Sequence, residues 1–191
     1  MLKDLVLKNR SYRRFAEAVL LERGQLEKLV ELARLTPSAA NKQPLKYMLA
    51  YDPAVNAKIF PCLSWAGYLK EWDGPAAGER PAAYIIILLD TEISDNAGCD
   101  HGIAAQTIML GAAEAGLGGC ILGSIRREQL QAELNILERY KILLVLALGK
   151  PVEEVVLEQS GPGPAGDIKY WRDESEVHHV PKRTVTEVLL N

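Results

Sequence analysis

Cysteine is scarce and arranged without pattern. Cys62, Cys99 and Cys120 are odd in number and none forms a CxxC pair, which argues against a disulfide framework or a thiolate zinc site and fits reduced thiols in a cytoplasmic protein. Surplus positive charge is also missing. Lys and Arg number 22 against 25 Asp and Glu, for a net charge of -3, so nothing points to nucleic acid. The basic N-terminal stretch (Lys3, Lys8, Arg10, Arg13, Arg14) is interrupted by Asp4 and lacks an apolar core and a small-residue cleavage site, which argues against a signal peptide. The segment 103–123 is long enough to be tested as a membrane span, but Gln106, Glu114 and five glycines speak against it. None of the three histidines has a ligand-type partner at i+4, and no serine stands in a GxSxG elbow, so metal and hydrolase chemistry lack support. A soluble protein is expected.

What is present is organised around one stretch, Asp100 to Gly123. Asp100 reads as an N-cap, and from Ile103 to Ala115 the only polar side chains are Gln106, Thr107 and Glu114. A helix apolar nearly all round is expected to be buried nearly all round. Its Ala and Gly residues suit close approach by another helix, of this chain or of a second subunit. Gly116 then ends the helix in a left-handed turn, and Gly118, Gly119 and Gly123 leave a bare backbone edge for a flat ligand. These glycines close a helix and do not open one, so they are not a dinucleotide fingerprint.

A chain of 191 residues fits one domain, 1–191, burying roughly 70% of its unfolded surface. Leu2, Leu5, Val6 and Phe15 suggest a short amphipathic helix, and Leu26, Leu29, Val30 and Ala33 a clearer one that stops at Thr36-Pro37. The loop Pro37 to Gln43-Pro44 follows, then a strand over Leu45 to Tyr51. Asp52-Pro53 opens a helix reaching about Leu63. Residues 65–80, with Trp65, Tyr68 and Trp72, read as an irregular aromatic loop, either a satellite cluster or a lid. Ala82–Leu89 and Ile142–Leu148 read as fully covered strands, and Ser124–Leu134 as a helix. An extended Gly/Pro-rich arm is expected at about 160–180, and Thr184 with Glu187 has capping-box spacing. Few strands among several helices, without βαβ alternation, argue for an α+β fold.

Cations stand at both ends of the chain: Arg10 and Arg13 near the start, Lys182 and Arg183 near the finish. Each alone reads as solvated surface charge. Together with the hydroxyl of Ser11 they suggest a phosphate site, since guanidinium groups fork onto phosphate oxygens. His178 and His179, adjacent in a strand, would face opposite sides and read as core or surface residues. By residues alone this is a soluble α+β protein with a phosphate-bearing ligand in prospect.

Five blocks, in order along the chain, resemble the flavin-dependent nitroreductase family. They are Arg10-Ser11-Tyr12-Arg13-Arg14-Phe15, the loop Pro37-Ser38-Ala39-Ala40-Asn41-Lys42-Gln43-Pro44, the helix from Ala104 with its Gly116-Leu117-Gly118 turn, Leu148-Gly149-Lys150-Pro151, and Pro181-Lys182-Arg183. The resemblance implies a homodimer with FMN at the subunit interface and a central mixed or antiparallel sheet flanked by helices. It implies that Arg10, Ser11, Arg13, Lys182 and Arg183 hold the phosphate and ribityl chain. Pro37, Ser38, Ala39 and Asn41 would come from the partner subunit. The backbone of Ile121, Leu122 and Gly123 would line a flavin face, with an N–H near N5. The implied activity takes hydride from NADH or NADPH and passes electrons to a nitroaromatic, quinone or similar acceptor by a ping-pong route, with the flavin and not a side chain doing the redox chemistry. The alternatives are an FMN enzyme running dehydrogenation or reductive removal of a substituent, and a non-catalytic binder of flavin or another flat ligand. Three departures stand out. Asn9 replaces a common basic residue, no Lys or Arg aligns as partner to flavin N1 and O2, and 65–80 diverges most.

Overall fold

The computed structural model describes residues 1–161 and 168–190. Strands β1 (Leu45–Ala50), β2 (Ala83–Asp90), β3 (Gly118–Leu122) and β4 (Tyr140–Gly149) form an antiparallel sheet in the order β1-β2-β4-β3. Every residue of β2 is buried, as expected of an unbroken apolar run covered on both faces. On one face α2 (Arg23–Arg34) and α4 (Asp100–Glu114) pack Leu26, Leu29, Ile108 and Met109 against Ile85, Ile87, Leu146 and Leu148. On the other, α3 (Pro53–Ile59) and α5 (Arg127–Glu133) bring Ile59 and Leu130 against Tyr84, Ile86 and Val145. A second sheet joins β5 (Val155–Gln159), β6 (Trp171–Arg172) and β7 (His178–Lys182) in the order β5-β7-β6, with β5 and β7 parallel. Two short helices, α1 (Leu2–Lys8) and α6 (Val185–Val188), lie near the ends. No helix among the described residues is long and apolar enough to cross a membrane. The α+β class is as expected.

Several local signals act as read. Asp52 caps α3 by accepting from the N–H groups of Ala54 and Val55 at 2.8 and 3.2 Å. Gly116 has φ +70° behind α4. Glu187 accepts from Thr184 N at 2.8 Å and caps α6.

Other expectations are corrected. Asp100 is not the N-cap of α4: Cys99 occupies that place, and Asp100 is the first helical residue with its carboxylate turned elsewhere. Nor is α4 buried all round. Ala104, Ala105, Ile108, Met109 and Ala112 are buried, while Gly102, Ile103 and Gln106 are exposed on the chain as it stands. Its small residues serve α2 first, because a Cβ on Gly111 would lie 2.5 Å from Leu32 Cδ1. Phe15 is not on the first helix, which stops at Lys8, but is fully buried beyond it.

The glycine edge is a strand. Gly119 lies so close to β4 that a Cβ would meet the Ala147 carbonyl oxygen at 2.2 Å. The expected arm at 160–180 contains β6 and the start of β7, whose partner β5 precedes it; the Gly/Pro-rich part at 162–167 lies outside the described residues. Strand pairing over such distances leaves little local trace.

The aromatic loop makes packing contacts at three of its rings. Trp65 is buried beside Phe60, ring centroids 5.8 Å apart. Tyr68 packs on Tyr170 at 4.9 Å, and Trp72 lies 4.3 Å beneath the Arg172 guanidinium. The loop thereby ties the smaller sheet to the larger one.

Candidate functional site

Residues far apart in sequence converge beside β3. The segment after α1 runs along the free edge of that strand, pairing Ser11 with Gly119 as an isolated parallel bridge and donating Tyr12 N to Gly119 O at 2.9 Å. From the other side comes β7. Between them lies a cavity of about 330 Å³ lined by Arg10, Ser11, Arg13, Ile121, His178 and Lys182, with Asn9, Gln106, Met109, Gly119, Tyr170 and Val180 completing the wall. The two ends of the chain therefore meet, and three cations face a cavity whose lining, among the described residues, contains no carboxylate. Arg183 follows Lys182 but is exposed and outside the lining.

The arginines here are held differently from their neighbour. Arg14 is neutralised by Glu79, a forked pair with both N···O distances 2.7 Å. Among the described residues, no carboxylate meets the Arg13 guanidinium. Its Nη1 donates to Ser11 O at 3.2 Å and lies 3.2 Å from His178 Nε2, and the group sits over the Tyr170 ring at 4.9 Å. Its backbone N–H donates to Glu153. That carboxylate, fully buried, also accepts from Arg14 N and from Arg172 Nη2, each at 3.2 Å. Arg10 Nη2 donates to Val6 O. The Nε atoms of both Arg10 and Arg13 are buried without a hydrogen-bond partner among the described residues. Buried unpaired donors are costly, and here they belong to cations lining one cavity. The donor set suits a phosphate-sized anion.

His178 and Glu153 were not legible as site residues. The signal available for His178 was only its alternation with His179. The two do face opposite sides: His178 is buried, while His179 contacts Glu158 and lies 3.3 Å from Asp173 Oδ2. Burial, then the charges of Arg13 and Arg172, push the His178 imidazole down to about 4. The carboxylates beside His179 draw its pKa upward in spite of partial burial.

The loop before β1 forms a separate place in this chain. Pro37 and Ser38 line a second cavity of about 150 Å³ with Gln43, Tyr47 and Asp100. Ser38 Oγ donates to Asp100 Oδ2 at 2.6 Å and accepts from Gln43 N at 2.9 Å, and Ala39 N donates to Asp100 Oδ1 at 3.1 Å. This is where the Asp100 carboxylate went. It anchors a loop in which Ala40, Asn41 and Gln43 all have φ between 51 and 54°, a left-handed backbone costing non-glycine residues about 1 kcal/mol or more each. Burial, with help from Asp100, pushes the Tyr47 phenol up to about 12. Ala39 and Asn41 are exposed. Within one chain, the loop and the cationic cavity do not share lining residues.

On β3, Ile121 is 39% exposed and contributes to the cationic cavity, whereas Leu122 turns into the apolar core. Gly123 is exposed at the strand's end, its carbonyl accepting from Arg127 Nη2 at 3.2 Å.

Comparison with known proteins follows the same lines. A model of the nitroreductase family matches residues 6–67 and 70–150. A relative from Archaeoglobus fulgidus, named as an NADH dehydrogenase/NAD(P)H nitroreductase, is 27% identical over 158 residues, covering 78% of this chain and 85% of its own. Among solved structures, a nitroreductase family protein from Streptococcus pneumoniae superposes with a TM-score of 0.68 at 19% identity, over 86% of this chain and 96% of that one. The FMN-dependent nitroreductase of Clostridium difficile gives 0.66 at 24% identity, over 78% and 87%.

Proposed function

The chain belongs to the nitroreductase family, and from that premise we propose that it is an NAD(P)H-dependent flavin oxidoreductase whose FMN occupies the cationic cavity beside β3. When bound, FMN supplies the hydride and electron transfer between NADH or NADPH and an acceptor. The observation that carries the reading is the cavity itself: Arg10, Arg13 and Lys182 converge on it, two of them with buried Nε donors that have no partner among the described residues.

In this reading Arg10, Ser11, Arg13 and Lys182 hold the phosphate and ribityl chain, with Arg183 adding charge from outside the lining. The backbone of Ile121, Leu122 and Gly123 lies along one face of the ring. Pro37, Ser38, Ala39 and Asn41 act across a homodimer, which accounts for a loop that is strained, anchored by Asp100, and yet separate from the cavity of its own chain. The exposed side of α4, with Ile103 and Gln106, is the surface that a second copy would cover. The protein's work is to bind and orient. No side chain is asked to transfer a proton, and binding in a fixed orientation supplies the rate.

We further propose that donor and acceptor, a nitroaromatic or quinone, use one pocket in turn. The chain acts as a single FMN domain in the cytoplasm, in keeping with its three unpaired thiols. Purified protein should be yellow, or become so on adding FMN. Steady-state rates with NADH and NADPH against a nitroaromatic and a quinone should give parallel double-reciprocal lines. Protein that neither carries nor takes up FMN would overturn the proposal. Bound FMN that neither NADH nor NADPH reduces would overturn the NAD(P)H-dependent reading and favour an FMN enzyme of another reaction, dehydrogenation or reductive removal of a substituent, or a binder.

A further inference from the structure

Two adjacent arginines meet different partners, and the difference has a chemical purpose. Glu79 cancels the charge of Arg14. Arg13, which lines the cavity, meets an imidazole instead, His178 Nε2 at 3.2 Å. A guanidinium has donors only, so Nε2 must accept, which leaves the ring neutral with its proton on Nδ1. Neutrality is the ring's preferred state here, because burial and the nearby guanidinium groups oppose its protonation. A carboxylate in that place would fix Arg13 equally well but would neutralise it and repel an anion.

We propose that His178 is a positioning residue for cofactor binding: as a neutral acceptor it fixes the Arg13 guanidinium at the cavity while leaving its positive charge for the ligand. The inference rests on the cavity being the FMN site. Packing and the backbone hold the ring, since its Nδ1 is buried without a hydrogen-bond partner among the described residues. His178 is 1% exposed, its backbone N–H is bound to Glu154 O at 2.9 Å, and its ring lies 5.2 Å from Tyr170, the same ring that underlies Arg13.

The test is a double-mutant cycle on FMN binding, read by flavin fluorescence quenching on the apoprotein, with thermal melts to confirm folding. His178→Phe should raise the FMN dissociation constant about tenfold in the native background and less than about twofold in Arg13→Ala, because a residue acting through another loses its effect when that other is gone. His178→Gln, which keeps a neutral acceptor near the Nε2 position, should stay within about threefold of native, whereas the shorter His178→Asn should resemble the Phe variant. Equal penalties for His178→Phe in both backgrounds, or native affinity in that variant, would overturn the role. Should His178→Phe fail to fold, equal affinities for the Gln and Asn variants would overturn it instead. Native protein that binds no FMN is a separate result, since it removes the parent reading before any variant is compared.

Discussion

In the four-stranded sheet, β2 is buried along its whole length, and its neighbours offer Leu, Ile, Val and Ala on both faces. In the three-stranded sheet, only His178 among the strand residues is fully buried, and the partners are charged: Glu153 with Arg172, and His179 with Glu158 and Asp173. The first sheet is held by area removed from water, which is non-directional and tolerant. The second is held by directional contacts that also fix cavity-lining groups. The contacts that hold the second sheet reach the lining of the cavity, whereas the buried run of β2 does not touch it.

The sharpest way to break this contrast is Glu153→Ala. It strips the fully buried partner from Arg172 and the acceptor from Arg13 N, and loss of one member of a buried pair costs about 3–5 kcal/mol. Denaturant unfolding should show the loss, and FMN affinity should fall with it. Ile86→Ala, at a fully buried position on β2, should cost about 3 kcal/mol by the same measurement while leaving FMN affinity within about twofold. If Ile86→Ala weakens FMN binding as much as Glu153→Ala does, the distinction fails. Arg13→Ala should reverse the emphasis, weakening FMN retention about 10- to 100-fold and altering turnover of the FMN-loaded enzyme far less. Retention equal to native would remove Arg13 as a cofactor ligand.

The smallest effects concern the two histidines, and they carry opposite signs. His178 has its pKa lowered from 6.5 to about 4, so its contribution to stability is present above the ordinary value and is lost as pH falls toward about 4. His179 has its pKa raised above 6.5 by Asp173 and Glu158. Its contribution is fully present below 6.5 and is lost as pH rises through the folded value. Melting temperatures across this range should show His178→Gln flattening the acid limb and His179→Gln the alkaline limb. Identical pH profiles for the two variants would contradict the geometry.

Much of the larger sheet could be read from residues alone, because an unbroken apolar run such as Ala83–Leu89 and a capped start such as Asp52-Pro53 are local signals. The five family-like blocks also located Arg10, Ser11, Arg13 and Lys182, which the fold brings to one cavity. The smaller sheet was not readable. Its pairing of β5 with β7 spans more than twenty residues, and its charges look in sequence like any solvated face. Glu153 illustrates the difficulty, since nothing near it in the chain says that it will be buried against Arg172. Asp100 shows the converse. Its place before an apolar run suggested a helix cap, but tertiary contact gave its carboxylate to Ser38 and Ala39.

The docking of Ser11 and Tyr12 on Gly119 closes part of the outer border of the larger sheet. Trimming the polypeptide before Arg13 would strip that seal and leave a template onto which other strands can add. Shortened forms of this protein should accordingly be lost to precipitation rather than to simple inactivity.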